Sequence, residues 1–474
     1  MQKSHLLNAF QSVPLNMITI PAENFNFPLD QDKDVLKSWS WFISLFSEVE
    51  WQKRKLAIEQ KIVVPNRIDE PFSETLDKGT LLVIKDDQIG WYLYLTEMFL
   101  KQPYKYEFFQ GARVIPIFKR FGQDFDLLMG IEGIKRKVKN LIKVRKSEAD
   151  AILFEILTAL VWERNGWKVS FLDESKPGKT PDLFAKKGNK EFYIECKRQM
   201  KTADYTYRET MKRQVMISHL NKDLMKSNLL LDIVFHVELE TLPDTYLKDL
   251  LMDRIPEIKE SIKITDKDIV DIDVSFVDIN GINEHLKENL VKYNSPQLNF
   301  LIGRRASDNV AFTSGIYASF IKIGEGEINN KYVDNLSRAF GVFWQCDAIE
   351  SIAAKARDIK KQLYSALEQF QSGQNIVIHI GMETYDGPEV EVKRLQKITE
   401  TLESLQLNTK TLKWAYCHFF QSYSTPEETW VFDETVNIIS SVPPEGLPPL
   451  ANSFLIIPED VELQNMAHWE KPLP

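Results

Sequence analysis

The chain has 474 residues, of which 43% are hydrophobic and 27% charged. This balance excludes a disordered protein and provides enough apolar residues for about two to four domains. The net charge of −9 argues against indiscriminate binding to polyanions. The three cysteines, Cys196, Cys346 and Cys417, lie far apart, which excludes a disulfide framework and a CxxC zinc site and fits a reducing cytosol.

Residues 1–130 are rich in aromatic side chains and are predicted to form a mixed α/β region. A helical pattern runs from Asp34 to about Gln60, and TLLVIKDDQIGWYLYLTEMF alternates like two strands around a DDQIG turn. The N-terminus lacks the apolar core of a signal peptide, and no stretch reaches the run of about 18 apolar residues typical of a membrane span. We therefore expect a cytoplasmic protein without a membrane partner.

Basic residues are concentrated in the middle of the chain. Residues 131–226 contain 22 Lys and Arg against 13 Asp and Glu, a net charge of +9, whereas the other 378 residues contain 37 basic and 55 acidic side chains, a net charge of −18. Clustered Lys and Arg bind phosphates, so a localised polyanion site is one interpretation. A solvated lysine-rich face is the other.

The same region predicts a regular order of elements. The segment IEGIKRKVKNLIKVRK, which begins at Ile131, is typical of an amphipathic basic helix. The next helix lies between Ser147, a candidate N-cap, and Asn165-Gly166, and it opens the order α-β-β-β-α-β. Strands are expected at Trp167 to Leu172 and on both sides of a Gly-Asn turn, followed by a helix over about 203–226 and the strand LLLDIVFHVEL.

Residues 241–474 are predicted to form an acidic α/β region with a Pro-rich, irregular tail from about residue 442. A long helix is expected from about Ala348 to Phe370, followed by a strand from Asn375 to Gly381. This helix and strand either belong to a separate region or complete the sheet of the middle region. His379 and Glu383 lack the helical HExxH spacing of zinc proteases, so a histidine of the core or surface is the better interpretation.

Two carboxylates are predicted to meet across a hairpin. The Gly188-Asn189 turn sets a register in which Asp182 falls opposite Glu195, on the face that also carries Lys197. Directly opposed like charges are destabilising, and burial makes an uncompensated charge costly. A shared proton or a cation is therefore required, and Mg²⁺, which binds one or two carboxylates and leaves positions for phosphate, fits phosphodiester hydrolysis. A structural salt-bridge cluster with Lys197 is the alternative.

Glu155 interrupts an otherwise apolar face of the helix that follows Ser147. A glutamate at such a position either has a specific partner or lies at the edge of the face with its carboxylate in solvent.

The Pro181-Asp182 pair and the Glu195-Cys196-Lys197 motif, preceded by a helix that bears Glu155, resemble the PD-(D/E)XK nuclease superfamily. The resemblance covers about residues 147–240. It implies a restriction-endonuclease-like mixed central sheet flanked by helices, with residues 131–240 as the nuclease core between extra N-terminal and C-terminal α/β regions.

The same resemblance implies roles for the motif residues. Asp182 and Glu195 would bind Mg²⁺ or Mn²⁺ together with the backbone carbonyl of Cys196, and Glu155 would bind the metal directly or through water. Lys197 would position or help to deprotonate the attacking water. The Cys196 side chain, which faces away from the carboxylates, needs no thiol chemistry.

The helix after the hairpin provides candidate phosphate contacts, with a solvent-exposed helix face as the alternative for each: Arg208, Lys212, Arg213 and Gln214. DNA is favoured over RNA as the substrate. The rival function is a nucleic-acid-binding or assembly subunit that keeps this fold without hydrolysis, as a partner in a defence or repair complex.

Overall fold

The computed structural model describes residues 17–22, 32–62, 84–172, 180–199, 204–304, 310–324, 330–356, 359–404, 411–425, 428–440, 447–458 and 466–470. The strands are β1 (Met17–Ile20), β2 (Lys168–Phe171), β3 (Leu183–Lys187), β4 (Lys190–Gln199), β5 (Leu229–Phe235), β6 (Ile262–Asp266), β7 (Val270–Phe276), β8 (Val291–Lys292), β9 (Ala311–Ile323), β10 (Lys331–Cys346), β11 (Asn375–Glu383), β12 (Thr411–Tyr423) and β13 (Val431–Ile439).

The helices are α1 (Lys33–Ile43), α2 (Glu48–Ile62), α3 (Gln88–Lys101), α4 (Phe108–Gln123), α5 (Phe125–Gly130), α6 (Ile134–Lys143), α7 (Ala149–Arg164), α8 (Asp204–Ser218), α9 (Asn221–Ser227), α10 (Tyr246–Leu251), α11 (Ile279–Glu288), α12 (Pro296–Gly303), α13 (Ile349–Lys355), α14 (Lys360–Leu367) and α15 (Pro388–Ser404). Short 3₁₀ turns occur at Pro103–Lys105, Leu239–Thr241, Ile255–Glu257 and His468–Glu470.

The described strands form two mixed sheets flanked by helices, so the protein is of the α/β class. Sheet A has the order β13-β12-β11-β4-β3-β2. Sheet B has the order β1-β9-β10-β5-β7-β6, with β8 also paired to β10. In sheet A, strands β4, β11 and β12 are parallel, whereas β2, β3 and β4 form an antiparallel meander.

The β3–β4 hairpin has the register predicted from its turn. Gly188 has a φ of +58°, a conformation that glycine adopts without the penalty of a Cβ atom. Lys186 then pairs with Glu191, and Phe184 pairs with Tyr193. Because side chains alternate along a strand, this register decides which residues face each side of sheet A.

Helix α7 and the N-terminal helices cover one face of sheet A. Helix α7 is buried along almost its whole length and shares one apolar core with helices α1 to α6. It begins at Ala149 and ends at Arg164, close to the predicted limits, but Glu148 and not the predicted Ser147 occupies the N-cap position. Helices α14 and α15 contribute to a second core on the opposite face, which includes Ile378, Ile380 and Phe419.

Strand β5 does not belong to the sheet that the sequence analysis assigned to it. It pairs with β10 and β7 in sheet B, and helices α8 and α9 pack there with it. Apolar side chains of β5 are buried on both faces of sheet B. A strand of this kind has no alternation of polar and apolar residues, so its sequence does not predict which strands pair with it. The strand beside β4 is β11, and the predicted core of residues 131–240 is therefore divided between the two sheets.

Three further predictions need correction. The described part of TLLVIKDDQIGWYLYLTEMF contains helix α3 and no strand. Asp87 caps this helix by accepting a hydrogen bond from the Gly90 N–H at 3.1 Å, and the helix is buried on all sides. The helices expected over about 34–60 and 203–226 are each two helices, α1 and α2, and α8 and α9. The one expected over 348–370 contains α13 and α14, with residues 357–358 between them outside the described part.

The described part of the tail, residues 447–458 and 466–470, has no helix or strand apart from one 3₁₀ turn. It lies against the connection between α7 and β2, where the Trp167 indole donates to the Pro449 carbonyl at 3.2 Å and the Asn165 amide donates to the Asn452 carbonyl at 2.8 Å. None of the helices that the structure describes is both long enough and apolar enough to cross a lipid bilayer.

Candidate active site

Asp182 and Glu195 lie next to each other at the open end of the β3–β4 hairpin. The Asp182 carbonyl accepts a hydrogen bond from the Leu172 N–H at 3.0 Å, which ties this residue to the end of β2. Its carboxylate accepts from the backbone N–H of Cys196 at 2.8 Å, so it is held against β4 beside Glu195. The cross-strand geometry predicted for the two acids is therefore present.

Glu195 is the most buried acid of the site, with only 3% of its side chain exposed. One carboxylate oxygen, Oε1, accepts from the Lys197 ammonium at 2.6 Å. The other, Oε2, is buried without a hydrogen-bond partner. A buried acceptor without a partner loses its hydration without compensation. A cation or a hydrogen-bond donor next to Glu195 Oε2 would therefore stabilise the site.

Burial and the negative charge of Asp182 raise the pKa of Glu195 to about 8, although Lys197 opposes the shift and Glu155 adds to it. Two interacting carboxyl groups of this kind share a proton over a wide pH range. At neutral pH and without a metal, Asp182 and Glu195 therefore share a proton. A shared proton is one of the two ways, beside a bound cation, in which the opposed carboxylates were expected to be compensated.

Lys197 lies on the same side of β4 as Glu195 and remains accessible, with 24% of its side chain exposed. Burial alone would lower its pKa, but the carboxylates of Glu195 and Asp182 raise it above the ordinary value. The ammonium group is therefore charged at neutral pH and lies at the accessible rim of the site.

Glu155 is buried, and its carboxylate forms an ion pair with Lys137 of helix α6. Lys137 is itself only 7% exposed, and its ammonium lies 5.6 Å from the centre of the Phe171 ring. Of the two interpretations of Glu155, the structure shows a specific partner and not a carboxylate in solvent. Sequence reasoning missed Lys137 because, among the many lysines of α6, only its position on the apolar side of the helix distinguishes it.

The Cys196 thiol points to the opposite face of β4, where it contacts Thr158 of α7. Burial, together with the charges of Asp182 and Glu155, raises the pKa of this thiol well above its ordinary range. It stays protonated and unreactive, and all three cysteines of the chain are free.

The four candidate phosphate contacts lie on helix α8, which packs against α10 and α13 rather than on sheet A. Arg208 pairs with Glu240 at 2.5 Å, and Lys212 pairs with Asp244 at 2.5 Å. Arg213 donates to the Thr210 hydroxyl at 2.9 Å, and Gln214 is half-buried. The structure therefore pairs Arg208 and Lys212 with acids of the sheet B region and not with Glu195.

A second charged cluster, which the sequence analysis did not identify, lies at the carboxyl ends of β4 and β11. One oxygen of Glu383 accepts from Arg113 of α4 at 2.5 Å and from Arg198 of β4 at 2.6 Å. Burial alone would raise the pKa of Glu383, but these two arginines hold it below its ordinary value. The cluster lines a cavity of about 30 Å³, room for roughly two water molecules.

Arg198 immediately follows Lys197, so this cluster anchors the strand end that presents the lysine. The partners are up to 270 residues apart in sequence, which leaves no local signal for it.

His379 is a core residue, as the sequence analysis expected. It is completely buried on β11, accepts from the Trp162 indole at 3.1 Å and lies 2.9 Å from the ring nitrogen of His418. His418 in turn contacts Glu434 at 3.2 Å. All of these polar groups are buried, and their contacts lie in the interior of sheet A.

Among the residues that the structure describes, no group of three or more His, Cys, Asp or Glu side chains is arranged to hold a metal ion. Mg²⁺ often takes only one or two protein carboxylates and keeps several waters. Asp182 and Glu195 fit a metal of this kind, because the Oε2 atom of Glu195 is buried, has no hydrogen-bond partner and lies close to a second carboxylate.

Comparison of the chain with protein-family models, with curated proteins and with solved structures finds no match in any of the three.

Proposed function

We propose that the protein is a metal-dependent nuclease that hydrolyses phosphodiester bonds, with a restriction-endonuclease-like sheet A. The observation that carries the proposal is the buried Glu195 carboxylate, whose Oε2 atom has no partner and whose pKa is raised by the neighbouring Asp182. Only a proton or a cation compensates such a pair, and Lys197 already occupies the other oxygen.

The order of elements supports the proposed fold. Helix α7 precedes β2, β3 and β4, and α14 precedes β11, which pairs in parallel with β4. The order α-β-β-β-α-β thus holds when α14 and β11 take the place of the second helix and last strand. The 160 residues numbered 200–359, which include the strands β5 to β10, are inserted between β4 and α14.

Asp182, Glu195 and the Cys196 carbonyl would hold Mg²⁺ or Mn²⁺, and Glu155 would act on the metal directly or through water. When bound, the ion would lower the pKa of a water molecule and stabilise negative charge on the phosphate. Lys197, charged and accessible at the rim of the site, would orient that water and take part in its deprotonation. Its neighbour Arg198, anchored by Glu383, keeps the strand end in place.

A polyanionic substrate is supported by helix α6. This helix inserts Lys137 toward Glu155 and leaves Lys135, Arg136 and Lys139 exposed on its outer side. Phosphate affinity depends on clustered positive charge of this kind. We propose DNA rather than RNA as the substrate, with phosphates following α6 instead of α8, whose Arg208 and Lys212 are paired with acids.

The test is cleavage of plasmid, single-stranded DNA and RNA by the full chain in Mg²⁺, Mn²⁺ or EDTA. Asp182→Asn keeps an acceptor for the Cys196 N–H but removes the charge, and should reduce cleavage by at least about 100-fold. Glu191→Gln changes an exposed carboxylate at the turn end of the same hairpin, is the matched control and should cleave normally. Cleavage that persists in EDTA, or in Asp182→Asn, would contradict the metal site.

The rival function, binding without hydrolysis, is supported by one observation: Lys137 and Lys197 already pair with two of the three acids. Gel-shift binding of DNA by a protein that cuts no substrate with either metal would establish it.

A further inference from the structure

Lys137 belongs to the site although it lies outside the nuclease motif. Helix α6 packs into the core through Ile134, Val138 and Leu141, and Lys137 is on this same side. Fully buried lysines are rare unless they are paired, since an isolated ammonium in an apolar interior is costly. Its ammonium is compensated by the Glu155 carboxylate and by the face of the Phe171 ring.

The fixed charges of the site allow a count. Glu155, Asp182 and Glu195 contribute three carboxylates, and Lys137 and Lys197 contribute two ammonium groups. The net charge is −1 when all five are ionised. One divalent ion changes this to +1, but a second would bring it to +3 in a largely buried site, where uncompensated charge is strongly unfavourable.

We propose that Lys137 is a positioning residue that holds Glu155 in an ion pair and thereby limits the site to one divalent metal ion. The positive charge of Lys137 neutralises the Glu155 carboxylate, which would otherwise favour the binding of a second ion. The inference rests on the proposed function, because it concerns the metal that Asp182 and Glu195 bind. It assigns to α6 a role inside the site in addition to its exposed basic side.

The experiment counts bound metal rather than turnover. Isothermal titration of the full chain with MnCl₂, with electron paramagnetic resonance of free Mn²⁺ as a second count, is carried out on wild type, Lys137→Gln and Lys139→Gln. Lys139 is on the same helix but exposed, so it is the matched control. Wild type and Lys139→Gln should bind one Mn²⁺, whereas Lys137→Gln should bind a second or hold the first at least tenfold more tightly.

A further variant covers the case in which Lys137→Gln does not fold. Lys137→Arg keeps a positive charge beside Glu155 and should bind one Mn²⁺ with an affinity within threefold of wild type, and a second Mn²⁺ on this variant would contradict the charge argument. Circular dichroism of each variant reports folding.

The outcomes separate this inference from the proposed function. Two Mn²⁺ ions on wild type, or a Lys137→Gln protein with unchanged count and affinity, would overturn the inference while leaving a metal-dependent nuclease in place. Absence of Mn²⁺ uptake by wild type would overturn the proposed function itself.

Discussion

Replacement of Glu195 by glutamine should make the metal-free protein more stable at high pH. In the folded chain the pKa of Glu195 is about 8, against an ordinary value of 4.5. The folded state therefore binds a proton that the unfolded state has already lost, and stability falls as the pH rises from 4.5 through 8. Glutamine has no such proton, so the difference in unfolding free energy between variant and wild type should grow over this interval and level off above it.

The magnitude follows from the interval between the two pKa values. At about 1.4 kcal/mol per pH unit, the raised pKa of Glu195 corresponds to a destabilisation on the order of 5 kcal/mol at the alkaline end, as an upper limit. A divalent metal at one hundred times its Kd should stabilise wild type by about 2.7 kcal/mol and so offset part of this destabilisation.

Urea unfolding of both proteins in EDTA at pH 5, 7 and 9, followed by tryptophan fluorescence, measures the difference. Glu191→Gln, whose carboxylate is exposed on the same strand, is the control and should follow wild type at each pH. A difference between Glu195→Gln and wild type that stays constant from pH 5 to pH 9 would refute the reasoning, because it would mean that burial does not disfavour the charged form of Glu195.

Three other perturbations test the site and its surroundings. Lys197→Met should reduce the turnover of DNA by about 100- to 10,000-fold while Mn²⁺ uptake persists, and loss of uptake would show a structural role instead. Glu155→Ala should lower the unfolding free energy by about 3–5 kcal/mol, because it removes the carboxylate partner of buried Lys137, and Lys137→Met in the same chain should restore most of the loss. Gly381→Ala should cost about 1–3 kcal/mol in urea unfolding, since its Cβ atom would lie 2.6 Å from the Phe154 ring, whereas Gly130→Ala, with open space around it, should be near neutral.

The candidate site could be predicted from sequence as far as local geometry determines it. The Gly188 turn sets the pairing of β3 with β4, and that pairing alone places Asp182 beside Glu195. The alternation along β4 also separates Lys197 from the Cys196 side chain. Each of these relations spans fewer than twenty residues, a distance over which strand period and turn type are decisive.

Long-range pairing was beyond the same reasoning. Strand β4 has two neighbours. Strand β3 is joined to it by a two-residue turn, whereas β11 is separated from it by 175 residues of sequence. Both β5 and β11 are short apolar runs preceded by helices, so their patterns do not reveal which of them pairs with β4. Helix α3 was mistaken for strands for a related reason, since a helix buried all round has no polar face to show its period.

The insertion between β4 and β11 also orders the events of synthesis. When β4 leaves the ribosome, one of its edges has β3 as a neighbour, but the other stays open until the whole sheet B region has been made. Open strand edges invite pairing with other chains, so the newborn protein carries an aggregation risk for the length of that interval.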